Sequence, residues 1–199
     1  MIPRSFAACY TVFMRLRHSL AALVLTFFIA ASFGQQVPRP AAEFAISMNS
    51  GSQTLLSQYS GKVVLLMFMF TTCPHCQRTT QILNPIAKEY APRGVQILAA
   101  AFNEGAGPLV PGFIAQFQPA FPVGYTTREQ VNEYLQHPAG KPTYVPELIF
   151  IDRNRVIRGQ FTGSEDFFKD QDKNIRAMLD TLLKEPVASK KASAHKKRT

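Results

Sequence analysis

VVLLMFMFTTCPHC, residues 63–76, carries the strongest structural signal in the chain. Its first eight residues, Val63 to Phe70, are all apolar. A run this short, preceded by the turn Ser60-Gly61-Lys62, is typical of a strand buried on both faces, as in a parallel sheet. Cys73 and Pro74 then mark the start of a helix, because proline is well tolerated in the first helical turn. The stretch therefore predicts a buried strand that runs directly into a helix.

Strands and helices alternate around this stretch. A helix containing Pro85 follows the cysteines, and Val95 to Phe102 is the next strand, so the three elements form one right-handed crossover unit. The remaining predicted elements are a hairpin at 44–48 and 54–56, a loop at 105–108, a short helix at 111–118, a strand at 123–126, a helix at 128–136, a hairpin at 148–152 and 156–161, and a helix at 167–183. This pattern indicates an α/β domain with a central mixed sheet flanked by helices.

The formal net charge of +9 does not indicate a nucleic-acid partner. Eight of the 22 Lys and Arg residues lie near the chain ends, which leaves 14 against all 13 acidic residues. The body of the protein is therefore close to neutral and offers no basic surface to a polyanion.

The two ends of the chain differ from the body. Leu20 to Phe33 is an apolar run that follows a basic flank. The run is shorter than the roughly 20 residues that span a bilayer, so we predict that residues 1–34 are a signal peptide. An uncleaved membrane anchor and a buried helix are the alternatives, and Met14 is an alternative start. The expected domain, 35–185, is then exported to the periplasm or another extracytoplasmic space. The composition of residues 186–199 indicates a disordered basic tail. The tail is either simply solvated or weakly attracted to an anionic membrane or envelope surface.

Three cysteines are too few for a disulfide framework, and Cys9 precedes the apolar run. Cys73 and Cys76 are the one close pair. A structural disulfide there would close a tiny loop and remove little chain entropy. A metal site would need further ligands, and the histidines are scattered; a thiophilic ion such as copper would suit it best. A redox-active pair is the favoured interpretation, and the other two remain open.

The predicted helix start gives Cys73 the properties of an attacking thiol. Free N–H groups of His75 and Cys76 and the helix dipole favour the thiolate, which is the nucleophile of disulfide exchange. Cys76 lies on the same helical face and can resolve a mixed disulfide. We therefore expect Cys73 and Cys76 to be catalytic, and Pro74 and His75 to tune the thiolate.

The chain resembles thioredoxin-fold proteins, and most closely the TlpA/ResA-like exported thiol–disulfide oxidoreductases. The resemblance covers roughly residues 44–183. It is carried by GKVVLLMFMFTTCPHC at 61–76, GVQILAAAF at 94–102 and TYVPELIFIDRNRVIRGQFTG at 143–163.

The resemblance implies a thioredoxin-like fold with an N-terminal hairpin and a central insertion near 103–120. It implies exchange with protein thiol or disulfide clients and a redox partner protein, with no cofactor beyond the Cys73–Cys76 disulfide. It also implies that Pro146 follows a cis bond beside the cysteines and leaves the Val145 backbone free to bind an extended substrate. An ordinary trans proline at a strand start is the alternative.

Several positions depart from that family pattern. Thr72 stands where many relatives carry tryptophan, and the strand at 63–70 lacks the buried acid of thioredoxin. Thr79 stands where ResA-like proteins have glutamate. Glu147 is the one acid proposed as a substitute, and a solvated loop charge is its alternative.

The direction of electron transfer stays open. Pro-His between the cysteines resembles DsbA-like oxidants, whereas the framework resembles TlpA-like proteins, many of which are reductants. A copper-binding thiol module in metalloprotein assembly is an alternative function. A peroxiredoxin-like peroxidase is a further one, although Phe70 and Leu66 stand where peroxiredoxins have threonine and proline.

Overall fold

The computed structural model describes residues 37–186. The predicted signal peptide or anchor, Cys9 and the tail beyond Pro186 lie outside the described residues. The strands are β1 Arg39–Pro40, β2 Ala45–Ser47, β3 Gln53–Leu55, β4 Val63–Met69, β5 Val95–Ala101, β6 Val123–Tyr125, β7 Glu147–Ile151 and β8 Val156–Thr162, and the α-helices are α1 Pro74–Tyr90, α2 Ala106–Phe117, α3 Arg128–Leu135 and α4 Gln171–Lys184. Among residues 37–186, none of the helices has the length and hydrophobicity needed to cross a bilayer.

The strands form one mixed sheet in the order β1-β8-β7-β4-β5-β6-β2-β3. β4 pairs in parallel with β5 and antiparallel with β7, so it lies in the centre of the sheet. All seven of its residues are buried, as its apolar sequence predicts. The expected α/β fold with a central mixed sheet is confirmed.

Helices cover both faces of the sheet, and side chains along β4 alternate between them. Met67 and Met69 pack on the face covered by α1, α2 and α4, which we call the α1 face. Leu66 and Phe68 pack on the other, the α3 face, where α3 and the aromatic ring of Phe44 lie. The alternation of side chains along a strand therefore assigns each strand residue to the α1 face or to the α3 face.

Two helices begin elsewhere than the sequence predicts. The prediction of a loop at 105–108 is wrong, because α2 starts at Ala106. The residue before it, Gly105, adopts a left-handed conformation with φ of 64°, which glycine allows without strain. Pro108 fits the first helical turn, where its missing N–H has no partner to lose. At the C-terminal end, residues 166–170 form a 3₁₀ turn, and α4 begins only at Gln171.

The N-terminal segment contributes strands to both edges of the sheet. The predicted hairpin is confirmed as β2 and β3, and Ser47 joins it to Tyr125 of β6. The sequence did not predict β1, which pairs with β8 at the opposite edge through Arg39 and Ile157. A strand of two residues has no periodicity by which it could be recognised.

Candidate active site

Cys73 lies where β4 gives way to α1, at the carboxyl end of the central parallel strands. It occupies the N-cap of α1 in an extended conformation, and Pro74 is the first helical residue. The Cys73 N–H donates to the carbonyl of Phe70 at 3.2 Å, which closes the turn between strand and helix. Cys73 is half-buried and Cys76 is fully buried, and both are free thiols. Cys73 therefore lies beside the partial positive charge of the helix N-terminus, although its side chain accepts no capping hydrogen bond in this thiol form.

A polar network holds the turn that carries Cys73. The N–H and hydroxyl of Thr71 both donate to Asn103 Oδ1, at 2.9 and 3.2 Å, and Gln77 Nε2 donates to the Thr71 carbonyl at 3.0 Å. Sequence reasoning missed Asn103 and Gln77. Asn103 had a usable signal, because it follows β5, the parallel neighbour of β4, and polar residues at the carboxyl ends of neighbouring strands come together.

The loop before β7 lies against Cys73. The peptide bond between Val145 and Pro146 is cis. The carbonyl oxygen of Val145 is 3.9 Å from Cys73 Sγ. The fold thus brings these two segments together from distant parts of the sequence.

Gly163 lies against the same loop and was also missed. A Cβ atom at this position would be 2.6 Å from the Val145 oxygen and 2.7 Å from its carbonyl carbon. Its neighbour Thr162 holds the loop by donating from its hydroxyl to the Tyr144 carbonyl at 2.9 Å. Position 163 therefore tolerates only a residue without a side chain if the loop is to keep its place.

Cys76 sits on the α1 face among apolar side chains. Burial raises the pKa of its thiol, and the nearby sulfur of Cys73 raises it further. Thr79, at the position where a glutamate was expected from the resemblance, is fully buried and bonds through its hydroxyl to Gln171 Oε1 at 2.7 Å. The buried thiol thus lies in neutral surroundings.

Glu147 is not a solvated loop charge, so that interpretation is wrong. It is the first residue of β7, only 2% exposed, and lies between Phe68 and Thr162 in the sheet. Its register directs the carboxyl to the α3 face, whereas Cys76 is on the α1 face. Burial raises the pKa of Glu147 to about 7. The geometry does not bring this carboxyl to the buried thiol, as the substitute-acid hypothesis requires.

The remaining predicted residues border Cys73 on the outside. Pro74 and His75 are exposed in the first turn of α1, while Val145 is half-buried and Pro146 buried. In the part of the chain from 37 to 186, the structure contains no cluster of three or more His, Cys, Asp or Glu residues that could hold a metal ion. Within residues 37–186, the copper alternative would therefore rest on the two sulfurs of Cys73 and Cys76.

Comparison with known proteins identifies the family. The Redoxin family model matches residues 34–179. Thiol-disulfide oxidoreductase ResA of Geobacillus kaustophilus is 31% identical over 143 residues, which cover 71% of this chain and 78% of the relative. A shorter match, 37% identical over 62 residues, is to glutathione peroxidase 3 of Caenorhabditis elegans, and it covers less than a third of either protein.

A solved structure supports the same fold. The thioredoxin family thiol:disulfide interchange protein of Chlorobium tepidum TLS superposes with a TM-score of 0.61, over 75% of this chain and 99% of that protein. At 23% identity this likeness carries the fold alone, and it confirms the thioredoxin-like architecture. The chain therefore belongs to the Redoxin family and, within it, to the TlpA/ResA-like thiol–disulfide oxidoreductases of thioredoxin fold.

Proposed function

We propose that Cys73 and Cys76 are the redox pair through which this thiol–disulfide oxidoreductase exchanges disulfides with protein thiols outside the cytoplasm. The observation that supports this most is the contrast between the two sulfurs. Cys73 is half-buried at the start of α1, and Cys76 is fully buried three residues later. A protein disulfide can reach only the first, which leaves the second to act within the molecule.

Cys73 is the attacking thiol in this proposal. In the reducing direction its thiolate attacks one sulfur of a client disulfide, the client S–S bond breaks, and the other client sulfur takes up a proton and leaves as a thiol. Cys76 then loses its proton and attacks the Cys73 sulfur, which releases the second client thiol and forms the Cys73–Cys76 disulfide. The client gains two electrons and two protons, and the cysteine pair loses both. A redox partner protein restores the pair.

The start of α1 favours this chemistry because its free N–H groups stabilise a thiolate at Cys73. His75 stands exposed in the same turn and can add a positive charge or a hydrogen bond. Pro74 fixes the first helical residue without removing a used N–H group. Stabilising the reduced form makes the disulfide easier to reduce, so these residues set the potential of the pair.

The client binds along the loop before β7. An extended peptide lying beside the Val145 backbone would reach the half-buried Cys73 sulfur, which is 3.9 Å from the Val145 oxygen. Tyr144, 51% exposed, provides an aromatic surface next to this backbone. Main-chain contacts of this kind accept many sequences, which suits an enzyme acting on several protein clients.

The site of action is outside the cytoplasm in this proposal. Its support is the apolar run at 20–33 behind a basic flank, the pattern of an export signal. Sequencing the N-terminus of protein recovered from the periplasm would test it, with cleavage near Gln35 expected. An intact chain in the cytoplasmic fraction would contradict export.

The basic tail would add weak attraction to anionic lipid, which a vesicle co-sedimentation experiment with and without residues 187–199 would detect.

The test of the redox roles is a trapping experiment. Cys76→Ser should accumulate mixed disulfides between Cys73 and client proteins, visible on non-reducing gels and released by dithiothreitol. Cys73→Ser is the matched control and should trap none. Equal trapping by both variants would overturn the assignment of roles.

Copper binding at one ion per chain, without reduction of insulin disulfides by the wild type, would favour the copper module instead.

A further inference from the structure

The sulfur of Cys73 is not fixed by bonds of its own. It accepts no capping hydrogen bond from α1, and its contact with the Val145 oxygen is long, at 3.9 Å. Regular structure stops on either side of it: the sheet ladder ends with the bond from the Phe102 N–H to the Met69 carbonyl, and the helix begins with the bond from the Gln77 N–H to the Cys73 carbonyl, both at 3.0 Å. The position of the sulfur therefore depends on the turn between β4 and α1.

Thr71 is the residue through which other elements hold this turn. It is 6% exposed, and each of its three polar groups bonds to a side chain outside the turn. Its N–H and its hydroxyl both donate to Asn103 Oδ1, and its carbonyl accepts from Gln77 Nε2. Asn103 follows β5 and Gln77 lies in α1, so the turn is tied to the sheet on one side and to the helix on the other.

Asn103 is itself held in place before it contacts the turn. Its Nδ2 donates to the Glu104 carbonyl at 3.1 Å, which leaves Oδ1 directed at Thr71. Its own carbonyl accepts from the Ala106 N–H at 3.1 Å, at the start of α2. A residue without a side-chain acceptor at 103 would therefore leave both donors of Thr71 without the bond that holds the turn to the sheet.

The network that holds the turn is also neutral. Thr71, Asn103 and Gln77 carry no charge, and an amide oxygen accepts from both Thr71 donors as a carboxylate oxygen would. A carboxylate at 103 would place a negative charge two residues from the contact to Cys73, and a nearby negative charge disfavours a thiolate. Asparagine thus holds the turn without opposing the charged form of the sulfur.

We propose that Asn103 is a positioning residue for disulfide exchange. It acts through Thr71 to hold the Cys73 sulfur at the start of α1, and its neutral side chain keeps the thiolate favoured there. The inference rests on the proposed role of Cys73 as the attacking thiol.

The test compares insulin reduction by Asn103→Ala and by the wild type, with dithiothreitol as the electron donor. All proteins are the full chain carrying Cys9→Ser, so that Cys73 and Cys76 are its two thiols. Asn103→Ala should lower kcat/KM at least tenfold, because a small misplacement of a reacting group has large kinetic effects. Asn103→Asp, which keeps the acceptor oxygen, should recover most of that loss.

Asn84→Ala is the matched control, because Asn84 also holds a loop through its side-chain amide. Its Nδ2 donates to the carbonyls of Phe117 and Gln118, both at 3.3 Å, and its Oδ1 accepts from the Ala120 N–H at 2.8 Å. It lies within α1, about 16 Å from Cys73 along the helix. Asn84→Ala should lower the urea midpoint of unfolding as Asn103→Ala does, and keep kcat/KM within twofold of the wild type.

Equilibration with glutathione measures the effect of charge. Asn103→Asp should shift the equilibrium constant about threefold toward a more reducing couple, because the new carboxylate disfavours the reduced, thiolate form. Asn84→Asp adds the same charge far from the sulfur and should leave the constant unchanged.

Two results would overturn the inference. One is a loss of insulin reduction in Asn103→Ala no larger than that in Asn84→Ala, and the other is Asn103→Asp as slow as Asn103→Ala. If Asn103→Ala does not fold, Thr71→Val replaces it, since this variant loses the hydroxyl donor alone, and a threefold fall in kcat/KM is then expected. A wild type that reduces no insulin would instead contradict the proposed function itself.

Discussion

The Sγ atom of Cys73 lies 3.9 Å from the carbonyl oxygen of Val145, although the two residues belong to opposite halves of the chain. The contact joins the start of α1 to the loop before β7. Any change that moves this loop therefore moves the surface next to the Cys73 sulfur, while a change at the start of α1 alters the environment of the sulfur itself.

The attack by Cys76 should depend strongly on pH. Burial raises the pKa of this thiol, so only a small fraction is thiolate near neutrality. We expect the rate of resolution to rise about tenfold per pH unit above pH 6, in proportion to the thiolate. The measurement is release of the second thionitrobenzoate after Cys73 has reacted with Ellman's reagent. Cys76→Ser should release none, and a rate that is flat with pH would mean that another group takes the proton.

Replacing Gly163 with alanine should impair client exchange without abolishing the fold. The new Cβ atom must displace the Val145 carbonyl, at a cost of about 1 to 3 kcal/mol in the free energy of unfolding. Insulin reduction should slow at least tenfold, because a small misplacement near a reacting group has large kinetic effects. The reaction of Cys73 with Ellman's reagent should stay nearly unchanged.

The matched control for that substitution is Gly112→Ala. Gly112 lies inside α2, and a Cβ atom there would meet nothing within 4 Å. This variant should gain about 0.5 to 1 kcal/mol of stability and keep full insulin reduction. If Gly163→Ala is as active as Gly112→Ala, the loop does not contact clients.

Glu147 should make stability depend on pH. Its pKa in the folded protein is about 7, above the ordinary value, so the native state holds a proton that the unfolded chain has lost. The stability it contributes is complete below about pH 4 and falls as the pH rises through 7, by up to about 3 kcal/mol. Glu147→Gln should remove this fall, so the variant should exceed the wild type in free energy of unfolding at pH 8 and match it at pH 4.

Urea unfolding followed by circular dichroism at both pH values measures the effect. Glu104→Gln, at an exposed carboxylate, is the control and should track the wild type throughout. If the difference in free energy of unfolding between the wild type and Glu147→Gln is the same at pH 4 and at pH 8, the carboxyl of Glu147 is solvated in solution.

His75→Ala should shift the Cys73–Cys76 couple to a more reducing potential. Loss of a charge or hydrogen bond next to Cys73 weakens the reduced form, and a tenfold change in the equilibrium constant corresponds to about 30 mV. Equilibration with glutathione buffers measures it. Lys88→Ala removes an exposed cationic side chain at the other end of α1, far from Cys73, and should leave the potential unchanged. A potential unaffected by His75→Ala would mean that the helix terminus alone stabilises the thiolate.

The elements that the sequence predicts well are those with local signals. The uninterrupted apolar run at 63–70 indicates a central buried strand because burial on both faces leaves no polar position. The position of Cys73 follows from the same run together with Pro74. These features were accessible because strand, turn and helix start are adjacent in the chain.

The features that the sequence did not reveal depend on pairings between distant segments. Glu147 could not be recognised as buried, since its burial comes from flanking strand residues Phe68 and Thr162. The roles of Asn103 and Gly163 likewise arise only when β5 and β8 are in place.

The pairing of β1 with β8 bears on how the protein folds during synthesis. Arg39 meets Ile157, so the outermost strand pair joins a segment made early to one made late. Contacts of such high sequence separation form slowly, because a long loop must close before they contribute. The sheet cannot be completed until the β7–β8 hairpin has left the ribosome.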